Sequence, residues 1–436
     1  MQPLWERSNK SMGRKYIFTA AFLNFIGYYV CLMLLFYIGL GTLSLSVSIP
    51  LRLLILSCLT VFFLQNTRLK PKSETYIFLF FSLIYLIRIF SDALKGLPYY
   101  LGTSRLLLYY LSFDMIPFLL LSNIKFKTTD YNAIRKGILF SGFLFAVLAV
   151  VFFRNYIGTV GRLTSETADI DMLSPLALSY CSSLTIGVAI SYWMENPLSL
   201  RQKFYFLLLT AVSVTPFFLG SSRGSLIALI LPFIFILIIK KNLFTNLRTI
   251  LILVLGLVGI IYISEELGSS LIERFTSTGS DIAEGNESAV RTIMWQNAFN
   301  QFVNNPIMGD RLKLDGFDIY PHNILFETLQ CTGFLGFIPL SILLVIIFIK
   351  SFNIFKYTPQ YSWISVLFIQ CFTQNMFSGS IFSASWLMMS MAIVAAFARS
   401  ENEIFSTALL SKKQNKNVAG KYIVRRKSLS RKLIII

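Results

Sequence analysis

The chain has 436 residues, 55% of them hydrophobic and only 14% charged, with a formal net charge of +18. Soluble domains carry roughly 25% charged residues, so a water-facing surface around a soluble core is excluded. The positive charge is dispersed in short segments between apolar runs, a pattern that argues against a nucleic-acid partner.

Apolar runs of 17 or more residues recur along the chain, and runs of that length can span a bilayer core of about 30 Å. In lipid each must be helical, because every backbone polar group needs a partner within the segment. The polar/apolar alternation of a barrel is absent. In chain order the predicted helices cover 16–40, 43–64, 75–90, 105–122, 137–153, 172–193, 203–219, 224–239, 248–263, 323–349, 361–376 and 380–398. The first follows basic residues, is longer than a signal-peptide core and lacks a clear cleavage site, so it is read as a spanning helix. The expected class is an all-α polytopic membrane protein of about 12 transmembrane helices with one large external, periplasmic loop. Residues 1–398 form the membrane domain, including that loop at 264–322, and 399–436 form a basic cytoplasmic tail. The five cysteines lie in or beside apolar runs and are read as packing residues, with no disulfide framework.

Lys and Arg distribution sets the expected orientation. With both termini cytoplasmic, 28 of the 39 basic residues fall on cytoplasmic segments, nine on external ones, and Arg52 and Arg88 within helices. The tail, with Arg425-Arg426-Lys427, is expected to lie on anionic lipid. Residues 264–322 are too long and too polar for a simple connector. They contain a predicted helix from about Ser288 to Val303, with Val290, Met294 and Ala298 on one face and Trp295, Phe299 and Phe302 on the next, stopped by Asn304-Asn305-Pro306.

The single histidine, His322, follows Pro321 where this loop returns to the membrane. It is either a general base, suited to that work by an ordinary pKa of about 6.5, or a polar interfacial residue or helix cap. Arg52, Arg88, Arg105, Arg154, Arg162, Arg223 and Arg291 map to the external side or the outer halves of helices, with Arg274 and Arg311 also in the large loop. An arginine at a helix centre costs about 2.5–3.5 kcal/mol on insertion scales, and guanidinium groups bind phosphate in bidentate fashion. The cluster therefore suggests an anionic, phosphorylated ligand at the lipid surface; snorkelling, or pairing with Glu166, Asp169 and Asp171, is the alternative. Arg223 is the most pointed, because Gly220-Ser221-Ser222-Arg223-Gly224-Ser225 is a tight turn whose small residues let backbone N–H groups approach an anion. There is no P-loop and no Cys/His cluster, and neither metal nor cofactor is expected. Asp169-Ile170-Asp171 looks like a nucleotide-sugar metal motif but falls on the external side, where nucleotide sugars are absent. The first external loop, Gly41 to Ser48, has no acidic residue to act as a base, which favours His322.

In order, Ser222-Arg223-Gly224, Arg291, Trp295, Asn305-Pro306, Gly309, His322-Asn323, Glu327 and Gly333-Phe334-Leu335-Gly336 resemble the pattern of the O-antigen polymerase and O-antigen ligase family. The resemblance spans roughly residues 160–345. It implies a metal-independent, inverting glycosyltransferase at the outer face of the cell inner membrane, acting in lipopolysaccharide biosynthesis on a glycan carried by undecaprenyl pyrophosphate. It implies His322 as catalytic base and Arg223 and Arg291 as pyrophosphate ligands. Arg162, Arg52, Arg88, Arg105 and Asn323 are further candidates for substrate binding. Expected partners are the lipid-linked glycan, membrane lipid and a chain-length regulator. Tyr320-Pro321-His322-Asn323-Ile324 with Phe326-Glu327 looks more like polymerases than ligases, which instead transfer the polysaccharide to lipid A–core. A lipid-linked oligosaccharide flippase or other transporter would also have about twelve helices and buried arginines. It would not explain a 59-residue loop carrying the only histidine.

Overall fold

The computed structural model describes residues 4–97, 99–164, 173–240, 243–277 and 287–400. All twelve predicted membrane helices are present. They are α1 (Gly13–Tyr37), α2 (Ser44–Gln65), α3 (Ser73–Leu94), α4 (Thr103–Ser122), α5 (Thr128–Phe152), α6 (Pro175–Glu195), α7 (Leu200–Gly220), α8 (Arg223–Ile239) and α9 (Leu243–Glu266). After α10 (Leu271–Thr276) and α11 (Glu287–Asn304), which belong to the long connection, come α12 (Ile324–Tyr357), α13 (Ser362–Ser378) and α14 (Ser385–Ser400). Nine spans among the described residues are long and apolar enough to cross a membrane. The protein is therefore a multi-pass membrane protein. The five cysteines are free thiols. Glu166, Asp169, Asp171 and nearly all of the 399–436 tail lie outside the described residues.

Local chemistry explains the boundaries. Ser174 caps α6, accepting from the Leu176 N–H, with Pro175 in the first turn, where its missing N–H costs nothing. Ser199 and Gln202 form a capping box at α7. The core is built on α6, α13 and α14, whose small residues permit close approach. Gly187 packs against the Gln370 amide, which donates to the Ser183 carbonyl at 2.8 Å. At the end of the bundle away from the long connection, buried Glu74 of α3 receives Lys350 of α12 at 2.7 Å and Arg399 of α14 at 2.9 Å.

The long connection folds onto the other end. Its helix α11 buries Met294 and Ala298, which join Leu314 in a small core, while Val290 on the same predicted face is exposed. Gly333-Phe334-Leu335-Gly336 falls within the helix predicted over 323–349. It is a break inside α12, where Gly333 takes φ +58°. The N–H groups of Phe334 and Leu335, freed by the break, donate to the carbonyls of Pro306 and Ile307 at 2.8 and 3.0 Å. Gly309 and Gly333 are each so close to the opposing backbone that an added Cβ would fall 2.5 Å from it. Both also have φ near +60° to +70°, so glycine is required twice over.

Arg88 completes this junction. It donates to the carbonyls of Met308, Gly309, Asp310 and Cys331 and pairs with Asp92 at 3.3 Å. Asp92 in turn accepts from the Leu312 N–H at 2.8 Å. Arg88→Ala leaves the buried Asp92 carboxylate without its counter-ion and several carbonyls without this donor, so a loss of about 3–5 kcal/mol is expected. Arg88→Lys should recover little, because one ammonium cannot reach that fan of acceptors. Thermal unfolding in detergent checks both variants; a wild-type melting temperature with lost activity would return Arg88 to the substrate.

Candidate functional site

Chain alternation brings the ends of α1, α5, α7 and α13 and the starts of α2, α6, α8, α12 and α14 to the end covered by the long connection. Three of its turns are stitched together. Ser221, left-handed at φ +43°, donates or shares its hydroxyl with Gly161, Phe218 and Ser269 at 2.9, 2.6 and 2.8 Å. The Leu163 N–H donates to Leu219 and the Ser270 N–H to Gly161, at 2.9 and 2.7 Å. Arg162 and Arg223 are thus carried side by side on bonded turns, although 61 residues separate them in sequence.

The second half of the site converges on the end of α13. Arg291 of α11 donates to the Phe377 carbonyl at 3.0 Å. Asn323 donates to the Met376 carbonyl at 3.0 Å and caps α12 by accepting from the Leu325 and Phe326 N–H groups. Gly224, next to Arg223, lies against the Phe377 side chain and the Tyr180 hydroxyl, and that hydroxyl accepts from Ser378 at 2.9 Å. Buried Glu327 accepts from the Ser380 hydroxyl and the Ile381 N–H at 2.7 and 3.0 Å, which fixes the turn into α14. Met376 to Ser380 therefore form a hub touched by residues next to Arg223, by Arg291 and by the start of α12.

His322 stands over this hub. Its backbone is left-handed, φ +55°, held by Trp295, whose indole N–H donates to the Pro321 carbonyl at 3.0 Å, and by the Asn323 cap. Tyr320 meets the imidazole edge-on, centroids 4.6 Å apart. The Ser378 backbone hydrogen-bonds the ring, while Nδ1 is buried and makes no hydrogen bond. Burial, and then the nearby positive charge of Arg291, push the imidazole pKa down to about 4. At neutral pH it is uncharged, with a lone pair to accept a proton.

Two cavities adjoin these groups. One, about 610 Å³, is walled by Tyr28, Tyr109, Tyr180, Tyr320, Ser378 and Arg52 among others. The second, about 370 Å³, is almost wholly apolar and lies between α8, α9 and α10, lined by Leu226, Ile230, Ile234, Leu257 and Ile261. It begins one turn below Arg223 on α8, beside helix α9, which is apolar and little buried against the rest of the protein.

The structure thus gathers Arg162, Arg223, Arg291 and His322 at one end of the bundle. Arg52 lies on the wall of the larger cavity. Arg88 is committed to the junction under the loop, Asn323 to capping α12, and Arg105 is exposed on the first turn of α4 and lines neither cavity. Sequence reasoning missed Tyr180, Tyr320 and the Met376–Ser380 hub. The signal was the polar, small-residue break Gln374-Asn375-Met376-Phe377-Ser378-Gly379-Ser380 between two apolar runs.

A family model described as O-antigen ligase matches residues 206–341, from α7 through the break in α12. No curated protein matches the chain.

Proposed function

We propose, for a chain whose residues 206–341 place it in the O-antigen polymerase and ligase family, that it is a polymerase joining repeat units on undecaprenyl pyrophosphate at the outer face of the inner membrane. The observation that carries this reading is the convergence of Arg291, His322 and the Arg223 turn on the Met376–Ser380 hub. Arg223 and Arg291 would hold the donor pyrophosphate, with the polyprenyl chain in the apolar cavity that starts below Arg223. The acceptor hydroxyl attacks the anomeric carbon from the face opposite the pyrophosphate, whose C–O bond breaks as the new one forms. The leaving pyrophosphate keeps the electron pair, and the two guanidinium groups balance its charge. No metal is required for this. The hydroxyl proton passes to Nδ1 of His322 and from there to water. Nδ1 is buried, so it must be uncovered as the acceptor arrives.

The depressed pKa also suits the sequence of events. Binding of an anion at Arg291 offsets the charge that helps suppress protonation of His322, so the imidazole becomes a stronger base once the donor is in place.

The test is reconstitution of the purified protein with a lipid-linked repeat unit, either alone or with lipid A–core. A ladder of products from repeat units alone supports the polymerase. Transfer only in the presence of lipid A–core assigns the ligase activity instead. Labelling of a cysteine placed at Ser277 in intact cells checks sidedness; protection there would reverse the proposed orientation.

A further inference from the structure

The larger cavity extends from Tyr320 and Ser378, at the hub, to Arg52 on α2. Ser44, Ser48 and Arg52 recur every four residues and line it as one face of α2. Arg52 is only 5% exposed. Its guanidinium carbon lies 3.4 and 3.8 Å from the centroids of the Tyr109 and Phe113 rings, two cation–π contacts that hold it in place. The hydroxyls of Tyr28 and Tyr109 approach the guanidinium, but by hydrogen-bond geometry Nε and Nη1 are buried and make no hydrogen bond. Asp114, the acid close enough to feel its charge, forms no ion pair with it, and both carboxylate oxygens lack hydrogen bonds. A buried guanidinium with unmet donors is expensive and calls for an acceptor from outside the chain.

The rest of the lining indicates what carries that acceptor. It is rich in tyrosine, serine and one tryptophan, with Gln374 and Asn375, and contains no acidic residue among the described residues. Flat rings and hydroxyl or amide groups match the faces and rims of sugars. The walls are also shaped locally. A π turn at Leu23–Gly27 immediately precedes Tyr28 and Tyr29, and another at Tyr110–Met115 immediately follows Tyr109. Such turns rotate the side chains on either side relative to a regular helix.

We propose that this cavity binds an acidic sugar of the glycan substrate, with Arg52 taking its carboxylate. The proposal rests on the glycan-transfer reading, but concerns which glycan is chosen. It selects for a hexuronic acid or a similarly charged residue in the repeat unit. The pyrophosphate is the other source of an anion. Arg52 lies eight residues into α2, about 12 Å below its start, whereas Arg223 and Arg291 stand at the bundle end.

Binding to the purified full-length protein in detergent separates these sources without requiring turnover. The probes are a soluble disaccharide bearing glucuronic acid, its uncharged methyl ester, and inorganic pyrophosphate. The wild type is expected to bind the acid about ten- to a hundredfold more tightly than the ester. Arg52→Gln should abolish that preference and leave pyrophosphate binding unchanged. Equal affinity for acid and ester, or no binding of either, overturns the proposal whether or not the protein proves to be a transferase. Loss of pyrophosphate binding in Arg52→Gln, without loss of the acid preference, assigns Arg52 to phosphate and also overturns it. Should Arg52→Gln fail to fold, the comparison of acid with ester in the wild type still decides. Failure of the transferase reading is seen separately, as absence of products from lipid-linked repeat units.

Discussion

A loss of about 100- to 10,000-fold in turnover is expected for His322→Ala, the range for removal of a general base. Donor binding should change little if, as proposed, Arg223 and Arg291 hold the pyrophosphate. His322→Gln keeps hydrogen-bonding capacity but cannot carry the proton, so it should fail nearly as badly. The pH dependence gives an independent check. As the proposed base, His322 must be neutral, and burial together with Arg291 lowers its pKa to about 4. In the free enzyme kcat/KM should therefore hold steady as pH falls from 7 past 6 and drop only near pH 4. With donor bound, the acid limb of kcat should lie higher, since the pyrophosphate offsets Arg291. Wild-type rates for the glutamine variant would reduce His322 to a positioning residue, and an acid limb unchanged in that variant would point to another group.

Arg223→Ala and Arg291→Ala should each lower product formation by about 100- to 1,000-fold, the usual effect of removing one donor to a developing negative charge. Lysine at either position should recover only part, because it cannot make the bidentate contact. Arg291 has a second use, since it also donates to the Phe377 carbonyl. A purely structural role would be seen as a lowered melting temperature without any change in the titration of His322. If Arg291 acts on the reacting groups, Arg291→Ala should raise the acid limb from about 4 toward the ordinary histidine value while burial still holds it below 6.5. Near-normal product formation in both alanine variants, at normal protein levels, would remove these residues from the chemistry.

The two arginines and the histidine are on three separate supports: the turn into α8, the N-terminal part of the loop helix α11, and the turn into α12. Arg88 and the facing glycines Gly309 and Gly333 join the loop to α12. Substitutions there should disturb catalysis through stability, whereas those at the hub should disturb it directly. This difference separates two sets of residues that the same family pattern presents together.

Helix number and approximate extent were legible in the sequence. A lipid-spanning segment must satisfy its own backbone, so length and hydrophobicity alone nearly specify it. The loop helix was legible for the same local reason, with Asn304-Asn305-Pro306 marking its end. His322 and Arg223 stood out because polar residues beside apolar runs are rare enough to be noticed singly. What tertiary structure decided was which arginines are available to a ligand. Arg88 and Arg52 look alike in sequence, each a lone cation inside an apolar helix. Four carbonyls from residues more than 200 positions away, with Asp92, occupy Arg88, whereas two aromatic rings pack against Arg52 and leave donors unmet at a cavity wall. Gly333 likewise reads as an interior position of the helix predicted over 323–349 until the carbonyls of Pro306 and Ile307 are seen to satisfy the N–H groups of a broken helix. Sequence reports local propensity and hydrophobic length; the partners of a buried cation or a freed backbone group come from distant segments, and only packing brings them into reach.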